Sequence, residues 1–187
     1  AHRPYFGHNS RRPRPIPSLG QVQVRESTAR SLYRALTLRT VIRRRWMNLN
    51  AFYTLSKSLS DDDNERSSGG SSLENVFDLR TEYGDSDLDR RHQFVASPLF
   101  FLPYGFEFSS AIRLRSGRPV DPGVGSDLNQ SGGFGRDRPF SAPGVPFRRN
   151  AFRNLGSKDI DVRLQKRFNL GEDARLLVSA EVFKLFG

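Results

Sequence analysis

The sequence predicts an all-β fold: an antiparallel transmembrane β-barrel portion of about seven strands, with short periplasmic turns and long external loops. Three observations predict it. Apolar residues recur at every second position in several runs, the period of a strand with two unlike faces. The links between runs alternate between short and long. The runs also reach the roughly 9–11 tilted residues that a strand needs to cross a bilayer core.

The elements follow in chain order. Gln21 to Glu26 reads as a first strand. From Ser31 to Arg43, Leu32, Arg34, Leu36, Leu38, Thr40 and Ile42 fall on one face, with Tyr33, Ala35, Thr37, Arg39, Val41 and Arg43 on the other. After Arg44-Arg45-Trp46 the pattern resumes: Met47, Leu49, Ala51, Tyr53 and Leu55 oppose Asn48, Asn50, Phe52, Thr54 and Ser56. Two alternating runs joined by a few residues make an antiparallel hairpin. A second hairpin runs from about Arg91 to Leu102, turns at Pro103-Tyr104-Gly105 and returns with Phe106, Phe108, Ile112 and Leu114 on one face. Proline presets φ for such a turn and glycine tolerates positive φ. Glu107, Ser109, Arg113 and Arg115 take the other face. The third hairpin starts near Ser157. Ile160, Val162, Leu164 and Phe168 alternate with Asp159, Asp161, Arg163 and Gln165, Asn169 to Asp173 turn the chain, and Leu176, Val178, Ala180 and Val182 follow.

The links near 44–46, 103–105 and 169–173 are short, and those at about 57–88 and 117–156 are long and rich in Ser, Gly, Pro, Asp and Arg. Strands that cross a slab repeatedly, with one side trimmed and the other elaborated, produce this alternation. A soluble antiparallel sandwich also alternates. Against it stand charged faces on long strands, loops longer than compact domains use, and aromatics near strand ends (Trp46, Phe100, Phe101, Tyr104, Phe106, Phe168) where an interfacial girdle places them.

Composition narrows the function. Hydrophobic residues make up 36% and mean hydropathy is −0.59, poor for a water-soluble core of this length. The absence of cysteine excludes disulfides, thiolate metal sites and cysteine nucleophiles. No apolar run is long enough for a transmembrane helix, and no signal peptide opens the sequence, so the start is expected to lie within a longer protein. The formal charge of +10 raises nucleic acid first, through Arg11, Arg12, Arg14 and Arg43 to Arg45. Yet arginines are spread through every strand and turn, with no helix-turn-helix, zinc or RNP-type pattern. At a cell surface, Arg34, Arg90, Arg136, Arg138, Arg148 and Arg149 have another partner in lipopolysaccharide phosphates.

No residue set reads as catalytic, cofactor-binding or metal-binding, and no enzyme is expected. His92 beside Asp89 lacks a further partner and reads as a rim salt-bridge cluster. Asp61, Asp62, Asp63 and Glu65 lack the glycine of a calcium loop and read as a solvated acidic loop. GGFGRDRP (132–139) is not followed by a helix pattern and is no phosphate cradle. Candidate external ligand contacts are Asp61, Asp62, Asp63, Arg118, Arg136 and Arg138, because loops carry specificity on a rigid scaffold. Arg39, Arg113, Arg115, Asp161 and Arg163 are expected to face a wet lumen.

Several stretches resemble one family. YRALTLRTVIRRRWMNLNAFYTLSKSLSDD (33–62), DRRHQFVASPLFFLPYG (89–105), SGRPVDP (116–122) and RNLGSKDIDVRLQKRFNLGEDARLLVSAEVFKLFG (153–187) resemble, in order, late barrel strands of Oar-like TonB-dependent receptors. Tyr104 stands where that family usually has phenylalanine. The resemblance implies energised uptake of an unidentified ligand across the bacterial outer membrane. It also implies that residues 1–187 are a partial barrel domain whose plug, TonB-contacting segment and final strand lie elsewhere. Outer-membrane lipid, lipopolysaccharide, the rest of the receptor and the TonB system are the partners implied. The alternative is a basic soluble β-domain that binds nucleic acid or another polyanion. The two separate in solution: a barrel portion is expected to aggregate without detergent, whereas a monomer with a cooperative melt in plain buffer is a soluble domain.

Overall fold

The computed structural model describes residues 29–63, 80, 82–126, 128, 137–171 and 174–186. The strands are β1 (Ser31–Arg44), β2 (Met47–Ser60), β3 (Gly84–Asp85), β4 (His92–Phe101), β5 (Phe106–Arg115), β6 (Pro119–Val120), β7 (Phe140–Ala142), β8 (Val145–Pro146), β9 (Phe152–Arg153), β10 (Ser157–Asn169) and β11 (Arg175–Val182). No α-helix occurs among the described residues. The expected strand at Gln21–Glu26 lies outside them. The chain divides into a strand unit (34–57, 90–117, 155–187) and a loop unit (1–33, 58–89, 118–154).

In the sheet the long strands pair in the order β1-β2-β4-β5-β10-β11, and β3 adds to the end of β2. Each long strand therefore neighbours the one next to it along the chain. The β2–β4, β4–β5, β5–β10 and β10–β11 pairings are antiparallel, as hairpins require. The sheet is open, with β1 and β11 at its edges.

Register decides which residues share a face, because directly paired residues point the same way. Tyr53 pairs Phe94, Phe94 pairs Leu114, and Leu114 pairs Lys158. Ala51, Ala96, Ile112 and Ile160 form the next such row. Phe100, Phe108, Leu164 and Ala180 form another. The Thr37 and Thr54 hydroxyls meet at 3.2 Å, which brings Leu36 and Leu38 onto this same side. Leu36, Leu38, Leu49, Phe108, Ile112, Val162 and Val178 thus lie on one continuous apolar face. Arg39, Asn50, Arg113, Asp161, Arg163 and Glu181 lie on the other, as the period-two pattern predicts.

The apolar face is not covered. Ala96, 4% exposed, is the one buried hydrophobic residue among those described, whereas Leu36 and Leu38 are 58% and 56% exposed. A water-soluble sheet of this size would bury that face against a second layer.

The β4–β5 turn differs in detail from its sequence reading. Proline sits at the first position of the turn, where its carbonyl accepts a hydrogen bond from the Phe106 N–H, and Tyr104 and Gly105 are the two central residues. Both have positive φ, 63° and 77°. These are type I′ angles, set within a three-residue link that the Leu102 N–H closes by donating to the Phe106 carbonyl at 2.8 Å. Glycine meets the requirement freely, but tyrosine carries a Cβ penalty of roughly 1–2 kcal/mol. Tyr104→Asn is therefore expected to raise the stability of the detergent-solubilised chain by about 1 kcal/mol, because asparagine tolerates this region better. A chemical-denaturation midpoint that falls for this variant would contradict the strain assignment.

Candidate functional site

Two polar surfaces hold the residues of interest, one in each unit. In the strand unit it is the non-apolar face of the sheet. Period two places Arg39, Arg113, Arg115, Asp161 and Arg163 there together. Arg163 pairs with Glu181 at 3.2 Å, and Arg167 with Glu107 at 2.7 Å. Arg39 lies over the Phe52 ring, 5.3 Å from its centre. Asp161 accepts the Lys184 N–H at 2.9 Å, and Arg113 stands directly opposite Asp159. Mixed charges in mid-strand are costly against hydrocarbon and natural against water or a polar partner.

In the loop unit the polar groups are folded inward. Arg138, 2% exposed, donates to Glu82 Oε1 at 2.6 Å, and Glu82 is equally enclosed. Arg153 bridges Asp85 and Asp89, the latter carboxylate fully buried. Asp89 also accepts the Ser58 N–H at 2.6 Å. Arg149 pairs with Asp63 at 2.9 Å, and the Asn150 amide donates to the Asp85 carbonyl and to Asp87. A Cβ at Gly84 would stand 2.8 Å from the Arg149 carbonyl, so glycine permits this close approach of two loop segments. Burial weakens the Arg153 charge, but its bonds to Asp89 and Asp85 more than offset this and hold its pKa above the ordinary arginine value.

The sequence-chosen candidates part ways here. Asp61 is 1% exposed; it accepts the Arg30 N–H at 2.7 Å and lies 3.6 Å from the Arg30 Nε. Asp63 and Arg138 are held in the pairs above. Asp62 is half-buried, Arg118 is exposed, and Arg136 lies outside the described residues. The acidic loop is therefore tied to arginines and is not simply solvated; its Glu65 also lies outside the described residues. His92 and Asp89 do not form the expected rim salt bridge. Asp89 takes Arg153, and His92 Nδ1 meets the Tyr53 hydroxyl at 2.8 Å with the rings stacked. No group of metal-ligating side chains occurs among the described residues.

Asp121 is exposed, yet partial desolvation raises its carboxyl pKa, with Arg138, the Asn150 N–H and Arg149 opposing and Asp87 reinforcing the rise. A carboxyl whose pKa is raised on folding contributes stability below its unfolded pKa and loses it as pH rises through the raised value. Asp121→Asn is expected to be worth at most about 0.5 kcal/mol at neutral pH, given solvent screening. Its advantage should vanish below the ordinary aspartate range. Loop protection measured by hydrogen exchange at both pH values checks this, and an advantage confined to acid would refute it.

The family described as an outer membrane beta barrel domain matches residues 3–148. The chain belongs to this family. Its place is the bacterial outer membrane, and the uncovered apolar face of the sheet is the surface such a barrel turns to lipid. Comparison with curated proteins finds no match. Comparison with solved structures finds none either.

Proposed function

We propose that this outer-membrane barrel chain is part of an Oar-like TonB-dependent receptor and serves energised uptake rather than catalysis. The observation that carries the reading is the mixed-charge face of the sheet, with Arg113, Asp161 and Arg163 in mid-strand. Inside a wide barrel that face would line a wet lumen and meet a polar plug. The ordered motifs from residue 33 to residue 187 support the same family. The long links support external loops on one side, with Arg118 and Asp62 as the candidate ligand contacts left nearest to solvent. A soluble polyanion-binding domain would not leave Leu36 and Leu38 uncovered.

The test uses the protein that carries this chain, purified from outer membranes. In a planar bilayer it should show no steady conductance, and it should bind the periplasmic domain of TonB. A steady open pore without TonB binding would replace the receptor reading with a passive porin.

A further inference from the structure

The polar face of the sheet is not uniform. Toward the tight turns its arginines are neutralised, Arg163 by Glu181 and Arg167 by Glu107. Arg163 stands opposite Ser109, and Arg113 lies beyond Ser109 toward the long link that follows β5. There the pairing stops. Among the described residues no carboxylate forms an ion pair with Arg39, Arg113 or Arg115. Asp159 stands across from Arg113 without an ion pair, and Asp161 accepts the Lys184 N–H. Arg113 and Arg115 leave the same face one strand repeat apart, about 7 Å. Like charges at that spacing repel, and an anion between them relieves the cost.

Register sets these cations around an apolar floor, all within the strand unit. Thr37 meets Thr54 across β1 and β2, and two residues on Arg39 lies over Phe52. Phe52 pairs Val95, and Val95 pairs Arg113. The row therefore reads Arg39, Phe52, Val95, Arg113. The next row toward the long links reads Thr37, Thr54, Gln93, Arg115. Phe52 and Val95 are exposed, although they lie on the polar face. A guest that covers them gains the hydrophobic term, and its carboxylates gain charge-assisted hydrogen bonds from the flanking guanidinium groups.

Dimensions choose the guest. Arg39 and Arg113 are three inter-strand steps apart, about 14 Å. One phosphate or citrate does not reach both. An extended peptide repeats the side chains of one side every ~7 Å. Carboxylates four residues apart then meet Arg39 and Arg113, while an apolar side chain midway covers Phe52 and Val95. We propose that this patch binds an extended acidic peptide, with one carboxylate on Arg39, the next on Arg113 and Arg115, and an apolar side chain on the floor between them. This names the ligand class for the receptor reading above and rests on it. TonB binding, measured on the same sample, tests that reading separately.

The protein that carries this chain, purified from outer membranes in non-ionic detergent, is titrated with the end-capped peptide Asp-Ser-Phe-Ser-Asp, with Asn-Ser-Phe-Ser-Asn, and with citrate as a competitor. The double variant Arg39→Gln/Arg113→Gln is compared with Lys158→Gln/Lys166→Gln, which removes equal charge from the opposite face. The expected result is a loss of about tenfold in affinity for the acidic peptide in the first variant alone, or ~1.4 kcal/mol. The native protein should bind the asparagine peptide about as weakly as the first variant binds the acidic one. Citrate should not compete at concentrations well above those of the peptide. Equal loss in both variants would overturn the proposal, as would undiminished binding of the asparagine peptide. Competition by citrate would make this a small-anion site and overturn the peptide assignment. Absence of peptide binding to the native protein would overturn it too; a lowered melting temperature of Arg39→Gln/Arg113→Gln would then give the face to an internal segment. Arg39→Lys/Arg113→Lys, which keeps both charges, should retain most of the binding even if the glutamine variant folds poorly.

Discussion

Arg138→Met is expected to open the loop unit at a cost of about 3–5 kcal/mol, because it leaves the enclosed Glu82 carboxylate without its guanidinium. Arg138 and Glu82 side chains are only 2% and 3% exposed, so water cannot replace the lost partner without local unfolding. The pair joins segments 56 positions apart, and its loss should be felt across residues 82–89 and 137–154. Hydrogen exchange on the detergent-solubilised chain would read this as lost protection in those segments. Replacing both residues, Arg138→Met with Glu82→Leu, should recover most of the loss, since two apolar groups need no charge compensation. If the single variant keeps full protection, or the double variant is no better, the pair does not organise the loops.

Leu38→Arg should cost roughly 2–4 kcal/mol in the lipid-embedded barrel, whereas Arg113→Gln should cost far less. Leu38 lies at the middle of β1 on the apolar face, 56% exposed, where only hydrocarbon can cover it. Arg113 lies on the opposite face across from Asp159, where water or a polar partner serves glutamine nearly as well as arginine. Folding yield into lipid vesicles, compared for the two variants and the native chain, separates them. Equal loss from both would undo the assignment of the faces.

The six long strands of the sheet were legible because alternation is a local signal, whereas β3 falls in a stretch read as a long loop. Leu36 and Leu38 declare a face within a few residues, and burial on that face fixes the register. The strand limits differ only at their ends: β2 runs on to Ser60, and β11 begins at Arg175. The interior of the loop unit was not legible. Arg153 finds Asp85 and Asp89 across 68 and 64 positions, and no periodicity announces a partner at that distance. The acidic run at Asp61 to Asp63 looked solvated because its arginines, Arg30 and Arg149, lie far along the chain on either side. Gly84 offered a faint clue, since an isolated glycine beside Asp85 can mark a close backbone approach. The Tyr53–His92 bond was hidden for another reason: it is set by the register between two hairpins, which the sequence of either one does not contain.

The order β1-β2-β4-β5-β10-β11 also has a kinetic meaning. Each of the three hairpins closes through a short link, an event of about 1–10 μs for an isolated hairpin. Joining one hairpin to the next must instead bring together chain ends separated by residues 61–91 or 116–156, at a larger entropic cost. Hairpins are therefore the natural units of assembly, and the β2–β4 and β5–β10 seams are the late, slow steps. A chain halted between these steps would hold three formed ribbons with open edges, the species most in need of a chaperone before it reaches the membrane.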